Sequence, residues 1–248
     1  MPKKASMKKK APVVLKVRDE DPNENFADIH ENLPQMPSLT LIIGSVRSGK
    51  SNLLVNWFCN PEFYKDKFDV VKFVSTTLNT DNKGKILSKH FDCMDHYEDT
   101  IIADIMKSQG QYENKEDRPT FALVMDDVLT KDFKKTNDVS FFSTRFRHYI
   151  DFYVIAVQSF RAVAGMIRNN ATDVIICKQQ NTKELLKIAE EYGDMVGGQD
   201  NFMKLYEEAM KDRYSFLYLK LSENPAQAFV RFESQIWPPQ KSEELVID

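Results

Sequence analysis

The sequence predicts an α/β protein with a mostly parallel central sheet flanked by helices. Short apolar runs that suit buried strands alternate with longer segments that suit helices along most of the chain. The first strong strand leads directly into a glycine-containing loop and then a helix, as in a phosphate-binding strand–loop–helix unit. The length of 248 residues fits one α/β domain, and a hydrophobic content of 42% is enough for a packed core.

The clearest motif lies between residues 39 and 58. Leu39–Ile43 is an apolar run that predicts a buried strand, and Asn52–Phe58 predicts a helix. Between them stands the complete phosphate-loop pattern G-x-x-x-x-G-K-[ST], made of Gly44, Ser45, Val46, Arg47, Ser48, Gly49, Lys50 and Ser51.

Each part of this loop has a chemical reason. Gly44 and Gly49 allow a tight backbone path that turns N–H groups toward an anion, and the helix that follows adds its positive dipole end. Lys50 can reach the β- and γ-phosphates, and the Ser51 hydroxyl can bind Mg²⁺. A chance glycine turn is the alternative, but the chain has only 8 Gly and two occupy the required positions. The loop predicts binding of a nucleoside triphosphate.

A second motif ends in two acids. Phe68–Ser75 predicts one strand, and Phe121–Asp127 predicts another that terminates in Asp126 and Asp127. Mg²⁺ prefers carboxylates together with water and phosphate oxygens, so Asp126 suits the metal or its water shell. Asp127 suits the base that orients the attacking water. Many strands end in two aspartates, but about 75 residues beyond a phosphate loop the pattern is strong.

A third buried strand, Ile150–Val157, ends at Gln158. A polar side chain there can contact the γ-phosphate or the attacking water, and an ordinary strand-end hydrogen bond is the alternative. The segment Asp138–His148 predicts a helix that presents Arg145 and Arg147 just before this strand. An exposed helix end or a DNA-phosphate contact would also explain these arginines.

The rest of the chain predicts further helices and strands. The predicted elements are a peripheral strand at Val13–Val17, a polar loop from His90 to His96, helices at Glu98–Gln109, Arg161–Asn170, 183–193 and Asn201–Lys211, a strand at Asp173–Lys178, and a C-terminal β-hairpin at Tyr214–Leu221 and Ala228–Phe232. We expect residues 1–32 to form an arm that is basic and then acidic, residues 33–236 to form the phosphate-loop domain, and residues 237–248 to form a polar tail.

Composition limits the environment and the partners. The net charge of −3 gives no global case for nucleic-acid binding, so any such surface must be local. A basic arm is formed by Lys3, Lys4, Lys8, Lys9 and Lys10, and a solvated tail is the alternative. The 3 cysteines have no C-x-x-C spacing, which favours reduced thiols. Apolar runs are too short to span a membrane and no secretory signal is present, so we expect an intracellular protein that is not secreted.

Several stretches, in chain order, resemble the poxvirus-type genome-packaging ATPases of large double-stranded DNA viruses. These ATPases belong to the FtsK–HerA superfamily within the RecA-like ASCE division of P-loop NTPases. The stretches are IIGSVRSGKSNLL, VKFVSTTLN, FALVMDDVL, STRFRHYIDFYVIAVQSF and MIRNNATDVII. The resemblance covers about Leu39 to Lys178, and its most specific part is the segment with RFRH and VQS. The chain from about Asn181 onward adds little to it.

The resemblance implies a role for each motif. Gly44–Ser51 would be Walker A and Asp126 the Walker B magnesium residue. Asp127 stands where most ASCE enzymes have Glu, which sets its carboxylate one methylene further back. Gln158 matches the sensor position. Arg147 is the best match to the arginine finger of this superfamily, with Arg145 as the second choice.

The resemblance also implies partners and a location. Its members are ring-forming ATPases that drive viral DNA into capsids, so ATP, Mg²⁺, double-stranded DNA, further copies of the chain and capsid or portal-type proteins are expected. DNA contact would be independent of sequence, through the N-terminal lysines or the Lys131–Lys135 loop. Host cytoplasm, a viral assembly site or the virion would be the location. Two alternatives remain. One is a P-loop kinase that acts on a small phosphate acceptor, and the other is a non-hydrolysing, nucleotide-dependent DNA-binding or structural protein.

Overall fold

The computed structural model of the chain describes residues 26–78, 82–128 and 137–239. The strand predicted at Val13–Val17, the N-terminal lysines and the Lys131–Lys135 loop lie outside these residues. Within the described residues, no helix is both long enough and apolar enough to cross a membrane. The three cysteines Cys59, Cys93 and Cys177 are free thiols.

Nine strands of the described residues form one sheet. They are β1 (Ser38–Ile43), β2 (Val70–Ser75), β3 (Asp92–Met94), β4 (Phe121–Asp126), β5 (Phe152–Val157), β6 (Asp173–Cys177), β7 (Phe216–Lys220), β8 (Gln227–Val230) and β9 (Ser234–Trp237). Their order across the sheet is β3-β2-β4-β5-β1-β6-β7-β8-β9. The strands from β3 to β6 pair in parallel, and β7, β8 and β9 continue the sheet antiparallel. The predicted α/β class is confirmed, and a third strand, β9, extends the predicted hairpin.

Helices cover both faces of the sheet. They are α1 (Lys50–Cys59), α2 (Asn82–His90), α3 (Thr100–Gln109), α4 (Asn137–Ser143), α5 (Gly165–Asn170), α6 (Thr182–Tyr192) and α7 (Gln199–Ala209). Because side chains alternate along a strand, Leu39, Leu41 and Ile43 of β1 enter one core and Ile42 enters the other. α1 packs Trp57 and its neighbours into the core of Ile42, and α3, α6 and α7 pack on the opposite face.

Three predicted elements differ from the structure. Of the predicted helix Arg161–Asn170, only Gly165–Asn170 is α-helical, and it follows a short 3₁₀ helix at Phe160–Ala162. The predicted helix Asp138–His148 ends at Ser143 and continues as a turn and a short 3₁₀ helix, Phe146–His148. Side chains of Ser143 and Thr144 donate to backbone carbonyls within α4, which competes with helix continuation. The predicted polar loop from His90 to His96 contains β3, a three-residue edge strand held by pairing with β2.

The strand order brings the predicted site residues to one edge. β5 lies between β1 and β4, so the carboxyl ends of these three strands are neighbours. β1 leads into the phosphate loop, β4 ends in Asp126, and β5 is followed by Gln158. Loops at the carboxyl ends of parallel strands form the ligand sites of open α/β sheets.

Candidate nucleotide-binding site

The phosphate loop is anchored to the strands on both sides of β1. The Gly44 N–H donates to the Val157 carbonyl at 3.0 Å, and the Ser45 N–H donates to the Lys178 carbonyl at 3.1 Å. The Ser45 hydroxyl also accepts the Gln180 N–H at 2.9 Å. The loop therefore continues the sheet for two residues before it turns, which fixes its position over the carboxyl edge.

The glycines of the loop meet two different requirements. A Cβ on Gly44 would lie 2.3 Å from Ser48 Oγ and 2.7 Å from Cys177 Cβ, so only glycine fits there without displacement. Gly49 has φ +113°, a conformation that other residues rarely adopt, and Arg47 has φ +61°. Residues of positive φ that alternate with residues of negative φ, as Arg47 and Gly49 do around Ser48, turn backbone N–H groups toward a common point, which is an anion-binding arrangement.

α1 begins at Lys50 directly after this loop. No side chain caps its N-terminus and its first turn carries no acid, so its positive dipole end faces the loop without a competing anion of its own. Lys50 is buried, and its Nζ donates to the Gly44 carbonyl at 2.8 Å and to the Ser45 carbonyl at 3.5 Å. An ammonium has three donors, so Lys50 can support the loop and also reach a phosphate oxygen.

Asp126 is the last residue of β4 and is buried. Its Oδ2 accepts a hydrogen bond from Ser75 Oγ at 3.1 Å. Ser75 ends the neighbouring strand β2 and pairs in register with Asp126. A hydroxyl on the adjacent strand thus orients this carboxylate.

Asp127 follows with an unusual backbone. Its φ is +52°, its N–H donates to the Ala156 carbonyl at 3.0 Å, and its Oδ2 accepts from Gln158 Nε2 at 2.8 Å. The Thr76 hydroxyl donates to the Asp127 carbonyl at 3.3 Å. Two strands and the loop after β2 therefore hold this carboxylate beside the phosphate loop.

These elements enclose a cavity of about 570 Å³. Of the predicted site residues, the loop from Val46 to Ser51, Asp127 and Gln158 line it, while Asp126 lies buried at the adjoining strand end. Four further residues complete the wall, namely Asn52, Thr77, Lys83 and Tyr214. Thr77 follows the carboxyl end of β2 and Lys83 lies in the first turn of α2, whereas nothing in the sequence around Tyr214 indicates a site.

The oxygen donors at this edge suit Mg²⁺. The Ser51 hydroxyl and the Asp126 and Asp127 carboxylates supply hard oxygen ligands, and the described residues contain no cluster of three His, Cys, Asp or Glu side chains that would form an all-protein cage. Mg²⁺ usually keeps several waters and binds through one or two carboxylates plus substrate phosphates. Ser51 and Asp126 are accordingly the residues that would hold the ion with the phosphates.

Arg145 and Arg147 lie away from this cavity. They precede β5, whereas the cavity lies at its carboxyl end, and parallel pairing of β1 and β5 puts the two at opposite edges of the sheet. Arg147 is exposed, and the Arg145 guanidinium stacks 3.6 Å from the Phe141 ring centroid. The structure does not bring either arginine to the cavity of its own chain.

A buried ion pair holds the turn that carries these arginines. Arg118 Nη1 donates to the His148 carbonyl at 2.6 Å, and Arg118 Nη2 lies 3.4 Å from Asp151 Oδ1. The other oxygen of Asp151 accepts the Phe121 N–H at 2.9 Å. Burial raises the pKa of the Asp151 carboxyl above its usual value, an effect that the Phe121 N–H and the Arg118 charge oppose. The turn is thereby fixed to the starts of β4 and β5.

The fold and the loop together define a class. In the mostly parallel sheet, one strand separates the phosphate-loop strand from the acid-tipped strand, and the loop leads into the first helix. This arrangement is the ASCE type of P-loop NTPase fold. The predicted fold class, an α/β protein of the P-loop ATPase type with a mostly parallel sheet, is confirmed.

Solved structures of viral packaging proteins share this fold. The genome-packaging NTPase B204 of Sulfolobus turreted icosahedral virus 2, in complex with AMP, superimposes with a TM-score of 0.54 at 14% identity, covering 78% of this chain and 96% of that one. B204 of Sulfolobus turreted icosahedral virus, described as its DNA-packaging ATPase, gives a TM-score of 0.52 at 16% identity over 79% and 98% of the two chains. At these identities the likeness establishes the fold.

The sequence itself is also similar to that of a curated protein. It is 24% identical over 200 residues to the uncharacterized protein 088R of Invertebrate iridescent virus 3, covering 79% of this chain and 72% of that protein. No protein-family model matches the chain.

Proposed function

We propose that this protein is an ATP-hydrolysing motor that moves double-stranded DNA into a viral capsid. The observation that carries the proposal is that Lys50, the paired side chains of Asp127 and Gln158, and the end of the Asp126 strand converge at one cavity. A site that only binds a nucleotide needs the loop, whereas acids and a polar sensor beside the loop suit hydrolysis.

Each residue has a role in the proposed reaction. Loop N–H groups and Lys50 hold the β- and γ-phosphates, and Ser51 and Asp126 hold Mg²⁺. When bound, Mg²⁺ neutralises charge on the phosphate oxygens. Asp127 orients the attacking water and accepts its proton. Its hydrogen bond to Gln158 is the route by which the γ-phosphate state is communicated to β5.

Arg147 is proposed to act on the cavity of a neighbouring subunit, with Arg145 as the second candidate. The exposed Arg147 side chain, on a turn fixed by Arg118 and Asp151, supports this proposal because it is accessible to another subunit. A guanidinium supplied in this way stabilises charge on the γ-phosphate and contributes roughly 10³–10⁵ in rate where it has been measured. This role requires a homo-oligomer, and a ring is the assembly that supplies every cavity with a finger.

The proposal that the motor packages a genome rests on similarity to viral proteins. B204 is described as a genome-packaging NTPase, and protein 088R also comes from a virus. Capsid or portal-type proteins are the proposed partners, and DNA binding is proposed to be electrostatic and independent of sequence. The N-terminal lysines and Lys131–Lys135 remain the proposed DNA contacts, with residues 1–32, 33–236 and 237–248 as the proposed arm, motor domain and tail. The host cytoplasm, an assembly site or the virion is the proposed location.

The decisive experiment measures phosphate release by the purified protein with and without double-stranded DNA. We expect ATP hydrolysis that DNA stimulates, and displacement of a third strand from a triplex as the motor advances. A protein that binds ATP but releases no phosphate with DNA present would be a switch rather than a motor. Full turnover by a monomer without DNA would instead indicate a kinase-like enzyme and overturn the proposal.

A further inference from the structure

A second cavity of about 320 Å³ adjoins the phosphate-loop cavity. The two cavities share four wall residues, Ser48, Gly49, Asn52 and Tyr214. The second cavity extends from the start of α1 along its outer face, where Asn56 lies one helical turn beyond Asn52. Neither Asp127 nor Gln158 lines it.

The second cavity is aromatic on one side and polar at an edge. Phe63, Phe216 and Phe232 line it, and the Phe216 and Phe232 ring centroids lie 5.0 Å apart. Arg231 and Glu233 also line it, with Arg231 Nη2 3.1 Å from Glu233 Oε2. Among the described residues the buried Nε–H of Arg231 has no hydrogen-bond partner. The wall therefore offers flat apolar contact together with a donor and an acceptor.

Tyr214 stands at the boundary between the two cavities. It lies in the turn before β7, its side chain is 59% exposed, and its backbone has φ +63°. A Cβ on Gly49 would lie 3.9 Å from the Tyr214 side chain, so the ring borders the phosphate loop itself. A large aromatic residue held exposed in a conformation that costs free energy is typical of ligand sites.

We infer that the second cavity holds the nucleoside part of the nucleotide and that Tyr214 stacks on its base. A loop that fixes the phosphates leaves the ribose and base to extend along α1, and the adjoining cavity is there. Purine bases present a flat face for stacking, which matches the Tyr214 ring, and an edge with both donors and acceptors, which matches Arg231 and Glu233 in the wall of the same cavity. This inference rests on the proposed nucleotide binding at the phosphate loop.

The test compares ATP with inorganic tripolyphosphate, which has the phosphates without the nucleoside. Calorimetric titration of the full-length protein is expected to show that Tyr214→Ala weakens ATP binding by about tenfold or more, because base–aromatic stacking is lost. Tripolyphosphate binding stays at the wild-type value. Tyr214→Phe keeps the ring and binds both ligands as the wild type does.

Two further variants separate stacking from folding. Tyr214→Gly suits the positive φ and removes the ring, so it reproduces the loss of ATP affinity without lowering the thermal unfolding temperature. Tyr112→Ala removes another exposed tyrosine that does not line either cavity and leaves both affinities unchanged.

The possible outcomes distinguish this inference from the proposed function. Unchanged ATP affinity in Tyr214→Ala, or equal weakening of ATP and tripolyphosphate, would overturn the nucleoside site while leaving hydrolysis intact as a proposal. A wild type that shows the selective loss but never releases phosphate would keep the nucleoside site and refute the motor. A wild type that binds neither ligand would refute both.

Discussion

Gln158 donates a hydrogen bond from Nε2 to Oδ2 of Asp127 across 2.8 Å, joining the ends of two adjacent strands. The Asp127 N–H at the same time donates to the carbonyl of Ala156, two residues before Gln158. The proposed base and the proposed sensor therefore form one unit at the carboxyl edge. A displacement of either side chain by the γ-phosphate must alter the other.

This contact predicts that changing either side chain separates binding from hydrolysis. Asp127→Asn removes the proton acceptor and should lower phosphate release by about 10²-fold or more, with ATP affinity near that of the wild type. Gln158→Leu should also slow hydrolysis, because Asp127 loses its orienting donor. Phosphate-release assays and calorimetry measure the two effects, and Gln111→Leu on the exposed segment after α3 is the matched control. Hydrolysis at the wild-type rate in Asp127→Asn would show that Asp127 is not the base.

Lys50→Ala is expected to abolish ATP hydrolysis and to weaken ATP binding strongly. The substitution removes both the phosphate contact and the bonds from Nζ to the Gly44 and Ser45 carbonyls that support the loop. Lys107→Ala, an exposed lysine on α3, serves as the control and should leave both properties unchanged. Turnover at the wild-type rate in Lys50→Ala would contradict the role of the loop.

Gly44→Ala tests the close packing under the loop. The new methyl group would meet Ser48 Oγ at 2.3 Å and Cys177 Cβ at 2.7 Å, so we expect a loss of about 1–3 kcal/mol in the free energy of unfolding and weaker ATP binding. Gly165→Ala is the matched control, since its Cβ would meet only Arg168 Nη2 at 3.6 Å. Denaturant unfolding compares the two variants, and equal stabilities would show that the loop accommodates the methyl group.

Arg147→Ala should bind ATP normally and lose most hydrolysis, because its guanidinium is proposed to act at the cavity of a neighbouring subunit. Mixing Arg147→Ala with Lys50→Ala should then restore activity, since some interfaces combine an intact loop with an intact arginine. Steady-state ATPase assays of each variant and of the mixture measure this. Arg145→Ala is tested in parallel as the second candidate. A mixture as inactive as its components would count against a finger acting between subunits.

Asp173 predicts a specific dependence of stability on pH. It is buried at the start of β6 and accepts hydrogen bonds from Ser38, Thr172 and Tyr218. Burial raises the pKa of the Asp173 carboxyl above its ordinary value of 3.8, and the hydrogen bonds oppose this by less. The folded state therefore holds the proton more tightly than the unfolded state does. The stabilisation is fully present below the unfolded-state pKa and is lost as pH rises through the raised pKa of the folded state.

Asp173→Asn removes this titration while keeping most of the shape. Urea unfolding of both proteins between about pH 4 and pH 8 should show the wild type losing stability relative to the variant as the pH rises. Other carboxyls with raised pKa values, such as Asp151, are common to both proteins and cancel in the difference. A difference independent of pH would mean that Asp173 does not titrate differently on folding.

The order of the motifs made the main features of the site predictable. Parallel strands end at the same edge, so a loop after β1, acids after β4 and Gln158 after β5 had to meet if the strands were neighbours. The bounds of β1 and β4 follow from continuous apolar runs, which strands buried on both faces require. The finger assignment to Arg147 stays a prediction, because one chain contains no neighbouring subunit.

Features that depend on distant contacts were not predictable. β3 has three residues and is a strand because β2 pairs with it. α2 contains Gly84, where a Cβ would lie 2.2 Å from the Leu78 carbonyl oxygen, and no local pattern reveals that approach. Ser75 and Tyr214 have no periodic or motif signal, since a neighbouring strand end and an adjoining turn bring them to the site.

The bonds from Gly44 and Ser45 to the strands on either side of β1 have a mechanical consequence. They tie the phosphate loop to the strands beside β1, so we expect it to keep its place relative to these strands when the nucleotide changes. In the proposed motor, displacements are then expected in the part of the cavity wall formed by Thr77, which follows β2, and Lys83, which lies in α2. Structures in different nucleotide states should therefore be superimposed on β1 and its loop, so that movements of the other elements become visible.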